Sequence, residues 1–343
     1  MKKYIFFLLF FLLLLEVGLR SIGILNVYSE RLGDKYRSYW GFEHKGHYKI
    51  LPKNSTVEFQ QKEFSVSYRT NSFGMRNPEI TSVPKDSTIR ILCLGDSFTQ
   101  GDGATNGHSF PRELERILNL NNRHKHFEVI NAGNNGSDLI YEEKLFVDAA
   151  YSFQPYLVIF VINDSDVEDI IQRGGLDRFK NDNTTKFKKG PRIESAYKRS
   201  HVVRLFTHLV LGRSFLLLSP KKEKEEIEKA NVILEESMMR LIQFCESKDI
   251  YVRFVIHPIP GYAKSKKPLD KIPFKLNREN NFEKIESEGY MYNINESLLD
   301  TIKKIPFESF AWPLNGHFND NGYKIMAEEI YTMIQKDTAI QIN

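Results

Sequence analysis

The six residues Leu157 to Ile162, Leu-Val-Ile-Phe-Val-Ile, offer water no polar face. A strand of that composition must be covered on both sides, as happens in parallel sheets flanked by helices. Ile89 to Leu94, Phe127 to Ile130 and Tyr251 to Ile256 are further short, largely apolar runs. Helical patterns alternate with them. Phe110, Leu114, Ile117 and Leu118 recur at helical spacing, and Leu139 to Ala150 repeats the pattern. A long helix is expected from about Glu223 to Lys248, and a last one from about Asn321 to Ile334. This order predicts a three-layer α/β/α sandwich around a mostly parallel sheet. With 343 residues, 41% of them hydrophobic, the chain can build one enlarged domain plus an N-terminal appendage.

The appendage has its own logic. Lys2 and Lys3 precede an uninterrupted apolar run from Tyr4 to Leu15, which Glu16 and Arg20 then interrupt. A basic start ahead of such a run is an export signal. No small-x-small cleavage site follows, and Val17, Leu19, Ile22, Ile24 and Leu25 extend the segment toward the ~20 residues of a spanning helix. Residues 1–25 therefore read as an uncleaved signal anchor, lysines on the cytoplasmic side and the rest of the chain outside. Residues 26–84 read as a linker and N-terminal extension. Within them Val57 to Phe59 and Phe64 to Tyr68 alternate like edge strands, and Arg69 to Pro78 is rich in turn formers.

Residues 85–337 form the main domain, with insertions at about 165–222 and 261–290. The first holds Gly174-Gly175, a basic loop with Lys186, Lys188, Lys189 and Arg192, and an apolar helical stretch from Val202 to Leu218. It reads equally as a cap over a site or as packing decoration. Lys221 to Lys229 reads as a solvated helix start with opposite-charge pairs. The net charge is +4, without the concentrated basic stripe that nucleic-acid binding requires. Cys93 and Cys245 lie in apolar patterns and read as small buried hydrophobes, not a disulfide or a metal pair. No metal or organic cofactor is expected.

In a parallel sheet, ligands bind beyond the carboxyl ends of the strands. The first strand ends in Gly95-Asp96-Ser97, the second in Asn131-Ala132-Gly133-Asn134-Asn135-Gly136, and the third in Asn163-Asp164. His317 stands in the turn-rich stretch Asn315-Gly316-His317-Phe318-Asn319, just before the last helix. The chemistry of these four clusters is complementary. A serine hydroxyl is a weak nucleophile until a base takes its proton, and histidine suits that task near neutral pH. An oxyanion then needs donors, which Ser97 N–H, Gly136 N–H and the Asn163 amide can supply. Each such donor is worth about 3 kcal/mol in the transition state.

These blocks resemble those of the SGNH/GDSL hydrolase family. Gly95-Asp96-Ser97 is similar to its first block, Gly136 within Asn131 to Ser137 to the second, Asn163-Asp164 to the third, and His317 to the fifth. Asn71-Ser72-Phe73-Gly74-Met75-Arg76 is also similar to a stretch before the nucleophile in membrane-attached members. The resemblance spans about residues 65–335 and implies a flavodoxin-like fold. It also implies Ser97 as nucleophile, His317 as base, and Ser97, Gly136 and Asn163 as oxyanion donors, with Asp96 as structural support. Two positions depart from the pattern. Val161 and Ile162 stand where a glycine is usual before the asparagine. Leu314 and Asn315 stand where an aspartate is usual before the histidine. Asn315 can orient the imidazole but adds no charge. The pair is then a Ser–His dyad helped by Asn315 or a backbone carbonyl, or its activity is reduced.

Other residues carry plainer readings. Gly101-Asp102-Gly103 lacks the Lys-Ser/Thr ending of a phosphate loop. His124 and His126 read as a solvated loop rather than as metal ligands. His257-Pro258 reads as a strand-end turn that could line the pocket. Trp312 and Tyr323 divide evenly between contact with a sugar ring and packing. Three functions fit the whole: an esterase on O-acyl groups of cell-envelope carbohydrate, an acyltransferase to a sugar hydroxyl, and a catalytically silent glycan-binding protein. The partners expected are a small-molecule or glycan ester and the membrane.

Overall fold

The structure is a computed structural model. It describes residues 2–22, 43–45, 48–122, 124–180, 185, 186, 188, 190–268, 271, 272, 274–276 and 282–340, and side chains of 43–50 are not described. Residues 26–42, 46 and 47 of the expected linker, the anchor's Ile24 and Leu25, and Lys189 of the basic loop lie outside the described residues.

In chain order, α1 (Lys2–Ile22) comes first, then the short strands β1 (Glu43–Lys45) and β2 (Tyr48–Ile50), then β3 (Thr56–Gln60) and β4 (Ser65–Arg69). The main domain runs β5 (Thr88–Gly95), α2 (Ser97–Gln100), α3 (Phe110–Asn121), β6 (His126–Asn131), α4 (Leu139–Asp148), β7 (Leu157–Ile162) and α5 (Asp164–Arg173). It continues with α6 (Glu194–Arg199), α7 (His201–Leu209), α8 (Pro220–Glu246), β8 (Tyr251–Ile256), α9 (Glu283–Ser287), β9 (Met291–Asn293), α10 (Asn295–Ile302) and α11 (Asp320–Lys336).

The sheet has five parallel strands in the order β6-β5-β7-β8-β9. This is the doubly wound order in which the strand sequence reverses around the first strand, opening a crevice at its carboxyl end. The two-residue period of each strand divides its side chains between two cores. Leu92, Leu94, Val158, Phe160 and Ile162 pack with Phe146 of α4, Val167 of α5 and Leu234 of α8. Ile91, Cys93, Leu157, Ile159 and Val161 pack on the other face with Leu114 of α3, Leu298 of α10 and Met326 of α11. The three-layer sandwich is thus present, built as the alternation predicts. Both cysteines are free and buried, as expected.

Some details differ from the sequence reading. β9 is a three-residue strand within polar surroundings, and its run is too short to announce itself. The stretch expected to be helical from Val202 to Leu218 stops at Leu209, because Gly212 takes φ 55° and Leu217 takes φ 62°. Residues 164–173, placed with the insertion, form α5, a regular cover of the sheet. The two alternating segments before the domain pair with each other as an antiparallel hairpin rather than edging the main sheet. Their inner face, Phe59, Phe64, Val66 and Tyr68, forms a small separate core with Leu51, against which Trp312 packs. That contact sets the hairpin beside the carboxyl ends of the main strands.

Candidate active site

β5 delivers Ser97. Gly95 permits a close crossing, since a Cβ there would stand 2.0 Å from Thr99 Oγ1. Asp96 caps the single turn α2 by accepting from Phe98 N–H at 2.8 Å. Ser97, first residue of that turn, stays half-buried beside a buried Phe98. The turn closes at Gly101, which takes φ 92° and donates its N–H to Ser97 O at 2.9 Å. Its last carbonyls need donors, as helix ends do. Arg76 supplies them from the N-terminal extension. Its guanidinium donates to the carbonyls of Gln100 and Gly101, and to those of Ala104 and Thr105 at 2.7 and 2.9 Å, while lying 4.2 Å from the Tyr68 ring centre.

His317 arrives on the loop before α11. Trp312 N–H donates to His317 O, and Gly316 N–H to Trp312 O, closing a tight turn. Glu63, at the tip of the β3–β4 hairpin, accepts from Leu314 N–H and Asn315 N–H at 2.8 and 2.7 Å. The imidazole is then placed by two contacts. His317 Nδ1 lies 2.6 Å from Asn315 Oδ1, and Nε2 lies 2.7 Å from Ser97 Oγ. An amide oxygen only accepts, so Nδ1 carries the ring proton and Nε2 is left to accept from the serine hydroxyl. This is the tautomer a general base requires. Burial pushes His317 down to about 4, with no carboxylate to oppose it, although part of the ring still meets solvent. At neutral pH the imidazole is therefore uncharged and ready to take a proton.

The second and third blocks lie on the same crevice. Gly136 sits in a turn with φ 71°, half-buried, and its carbonyl accepts from Arg173 at 2.7 Å. Asn135 N–H donates to Gln100 Oε1 at 2.7 Å, and Asn134 N–H to Gly95 O at 2.8 Å, which lock the second block to the first. Asn163 is fully buried and caps α5, its Oδ1 accepting from Ser165 N–H at 2.9 Å. Its Nδ2 donates to Asp96 Oδ2 at 3.0 Å and lies 3.3 Å from His257 Nε2. His257 Nδ1 faces the carbonyl of Pro258 at 3.1 Å, so it carries the proton and Nε2 accepts from Asn163. Burial holds His257 neutral, pushed down to about 4. Both N–H groups of Asn163 are thus engaged, and in this arrangement the residue bridges Asp96 to His257 rather than presenting an open donor. Burial raises Asp96 above the usual carboxylate range, while Asn163, Phe98 N–H and Ser165 oppose the shift.

Asn315, His317 and Ser97 are therefore in direct sequence of contact, and Asp96, next to Ser97 in the chain, holds Asn163. Sequence reasoning underrated His257, which holds Asn163, and did not find the roles of Arg76 and Glu63. The even choice at Tyr323 resolves to packing: it is fully buried and donates to Asp102 O at 2.8 Å. Trp312 stays partly exposed, donates to Gly103 O at 3.0 Å and meets the Phe64 ring at 5.0 Å between centres. Among the described residues no group of His, Cys, Asp and Glu is arranged to hold a metal ion.

The sheet order and the four blocks at its carboxyl edge agree with one another. The fold is an α/β/α sandwich around a five-stranded parallel sheet. No protein-family profile and no curated protein matches the chain. Solved structures do resemble it. One is a two-domain esterase active on acetylated mannans, at 12% identity and TM-score 0.41, aligned over 73% of this chain. The match spans about half, 49%, of that protein's length. A protein of the G-D-S-L lipolytic family from Desulfitobacterium hafniense DCB-2 aligns over 71% of this chain and 98% of its own, at 13% identity and TM-score 0.41. An acetylxylan esterase from Geobacillus stearothermophilus, solved as a catalytic mutant, aligns over 72% and 94%, at 13% identity and TM-score 0.39. These are distant likenesses of chain course, and what the site can do follows from its own geometry.

Proposed function

We propose that this protein is a serine ester hydrolase that removes acyl groups, acetyl foremost, from carbohydrate of the cell envelope. Its N-terminal helix crosses the membrane and leaves the catalytic domain on the outer side. One observation carries the chemical part: Ser97 Oγ stands 2.7 Å from an imidazole nitrogen whose ring is fixed in the accepting tautomer. The anchor rests on α1, 21 residues with mean hydropathy 2.3 over an 18-residue window that is not buried.

In this reading Ser97 Oγ attacks the ester carbonyl carbon and its proton passes to His317 Nε2. The carbonyl oxygen becomes an oxyanion facing the N–H groups of Ser97 and Gly136. Asn163 becomes a third donor when one of its N–H groups turns from Asp96 or His257. The tetrahedral intermediate collapses, and the departing alkoxide takes the proton from His317. Water then attacks the acyl-serine with the same base, releasing the acid and restoring Ser97. Asn315 Oδ1 keeps the ring oriented throughout but adds only a dipole where an aspartate would add a charge. A sugar hydroxyl in place of water would make the same groups an acyltransferase.

The test is p-nitrophenyl acetate hydrolysis by the full chain in nanodiscs, followed by acetylated glycans. Wild type should turn over, and Ser97→Ala and His317→Ala should each lose about 10³-fold or more. Three equal background rates, with glycan binding that survives Ser97→Ala, would replace the hydrolase with a silent binding protein. Turnover only when an acceptor sugar is supplied would make it a transferase.

A further inference from the structure

The insertion after α5 bears a second apolar surface. α7 and the turn after it expose Phe206 (49%), Leu209 (75%), Val210 (67%) and Phe215 (64%). Large side chains exposed this close together mark a surface that meets something other than water. Beside them stands α1. Glu16 of α1 accepts from Ser200 Oγ at 2.7 Å and from the N–H groups of His201 and Val202 at 3.0 and 2.9 Å. A carboxylate thus caps the first turn of α7, where the helix end is positive. Arg20, one turn further along α1, donates to Glu16 at 2.7 Å and to the carbonyl of Arg199. Leu19 of α1 is buried and Leu15 half-buried, while its other apolar side chains are exposed.

The depth of this junction is informative. At 1.5 Å per residue α1 is about 31 Å long, hardly more than the ~30 Å of bilayer hydrocarbon. Glu16 precedes Ile22 by six residues, about 9 Å along the axis. It therefore lies below the end of the span, and the start of α7 lies at the same level. Lipid offers a carboxylate no donors at that depth, so the protein must bring them. Ser200, His201, Val202 and Arg20 do so. The same segment carries Lys198, Arg199, Arg204 and Arg213 against a single acid, Glu194.

We propose that α7 and the turn to Phe215 form a second membrane-seated element. It docks on α1 and embeds its apolar side chains in the leaflet nearer the catalytic domain, with its basic residues among anionic headgroups. This rests on the reading of α1 as a bilayer span.

The test uses the full chain in nanodiscs of phosphatidylcholine and phosphatidylglycerol. Single cysteines at Leu9, Leu120, Leu209, Val210 and Phe215 are labelled with a nitroxide; the native Cys93 and Cys245 are buried. Collisions with oxygen and with a water-soluble nickel chelate report depth. Labels at 209, 210 and 215 should gain oxygen collisions and lose nickel collisions relative to 120, though less deeply than 9. A label at 9 in lipid with 209, 210 and 215 in water overturns the seating and keeps the anchor. A label at 9 in water removes the anchor itself. Labels at 209 and 210 shielded from both reagents would put a second chain there and overturn the proposal. Adding Leu209→Asp and Val210→Asp to the Phe215→Cys chain should restore nickel access at 215. No change in that access would mean that protein, not lipid, holds the turn.

Discussion

Ser97 and His317 meet at 2.7 Å but are held by different means. Around Ser97 the supports are interior: Arg76, Asp96, Asn163 and His257 are all buried. Around His317 they are at the surface. Asn315, Gly316 and His317 are half-buried, Leu314 is 77% exposed, and Glu63 grips the loop by two backbone N–H groups. The difference fits the tasks proposed for the two residues. The serine turn must keep a hydroxyl and an N–H donor in place without reorganising as charge develops, and preorganised dipoles require a rigid frame. The base needs only the right tautomer and a short contact, which Asn315 and a tight turn provide.

The largest expected effect lies on the interior side. Arg76→Ala removes donors from four carbonyls around α2, and each buried acceptor left unpaired costs about 1–3 kcal/mol. Urea unfolding should show a loss of about 3–5 kcal/mol. Lysine should not rescue it, because one ammonium cannot reach the carbonyls that the guanidinium fork spans. A loss under about 1 kcal/mol would mean that the turn does not depend on this brace.

Asp102 tests the same side by pH. Burial pushes its carboxyl up to about 7, despite Arg76 and the amide of Asn135. Between about 4 and about 7 the folded state therefore holds a proton that the unfolded chain has lost. Its contribution to stability is complete in acid and declines as pH rises through that window. Asp102→Asn removes the dependence, so melting at pH 8 should favour the variant by up to about 4 kcal/mol, and the two proteins should converge below pH 4. A variant less stable at pH 8 would mean that the carboxylate is worth more to Arg76 than its burial costs.

This contrast also explains what could be read from the chain. Three of the four blocks are local strings at the ends of apolar strands and the fourth precedes the last helix, so the placement of Ser97, Gly136, Asn163 and His317 was legible with the sheet. Their supports are not local. Arg76 reaches carbonyls 24 to 29 residues away, His257 meets Asn163 across 94, and Glu63 meets Asn315 across 252. Nothing in the spacing of a lone Glu or His marks such a contact. Tyr323 could not be sorted between surface and core because aromatic side chains suit both, and only the packing of α11 on α3 decides it. The amide of Asn163 was legible as a donor, but its engagement with Asp96 and His257 was not.

Asn315→Asp sharpens the comparison at the base. A carboxylate 2.6 Å from Nδ1 favours the imidazolium, and an opposite charge at such range raises a pKa by about 1–3 units. The acid limb of kcat/KM, expected near 4 because burial lowers His317, should move upward by that amount. The profiles should cross: less activity than wild type at pH 5, because the base is then protonated, and more at pH 8, where the ring is neutral in both and the ion pair aids proton transfer. An unmoved acid limb would mean that His317 is not the group whose ionisation controls turnover.

The smallest effect belongs to Glu63→Gln, and it separates orientation from stability. Glutamine keeps an acceptor for Leu314 and Asn315 N–H but loses the charge that strengthens both bonds. The loop is at the surface, so urea unfolding should change by less than about 1 kcal/mol. The same loop carries the imidazole, so its looser hold should lower kcat several-fold with KM nearly unchanged, since no substrate contact is removed. Glu63→Ala should lower kcat further. If both variants kept full kcat, the turn from Trp312 to His317 would be sufficient alone, and the hairpin would be a cover for Trp312 rather than a support for the base.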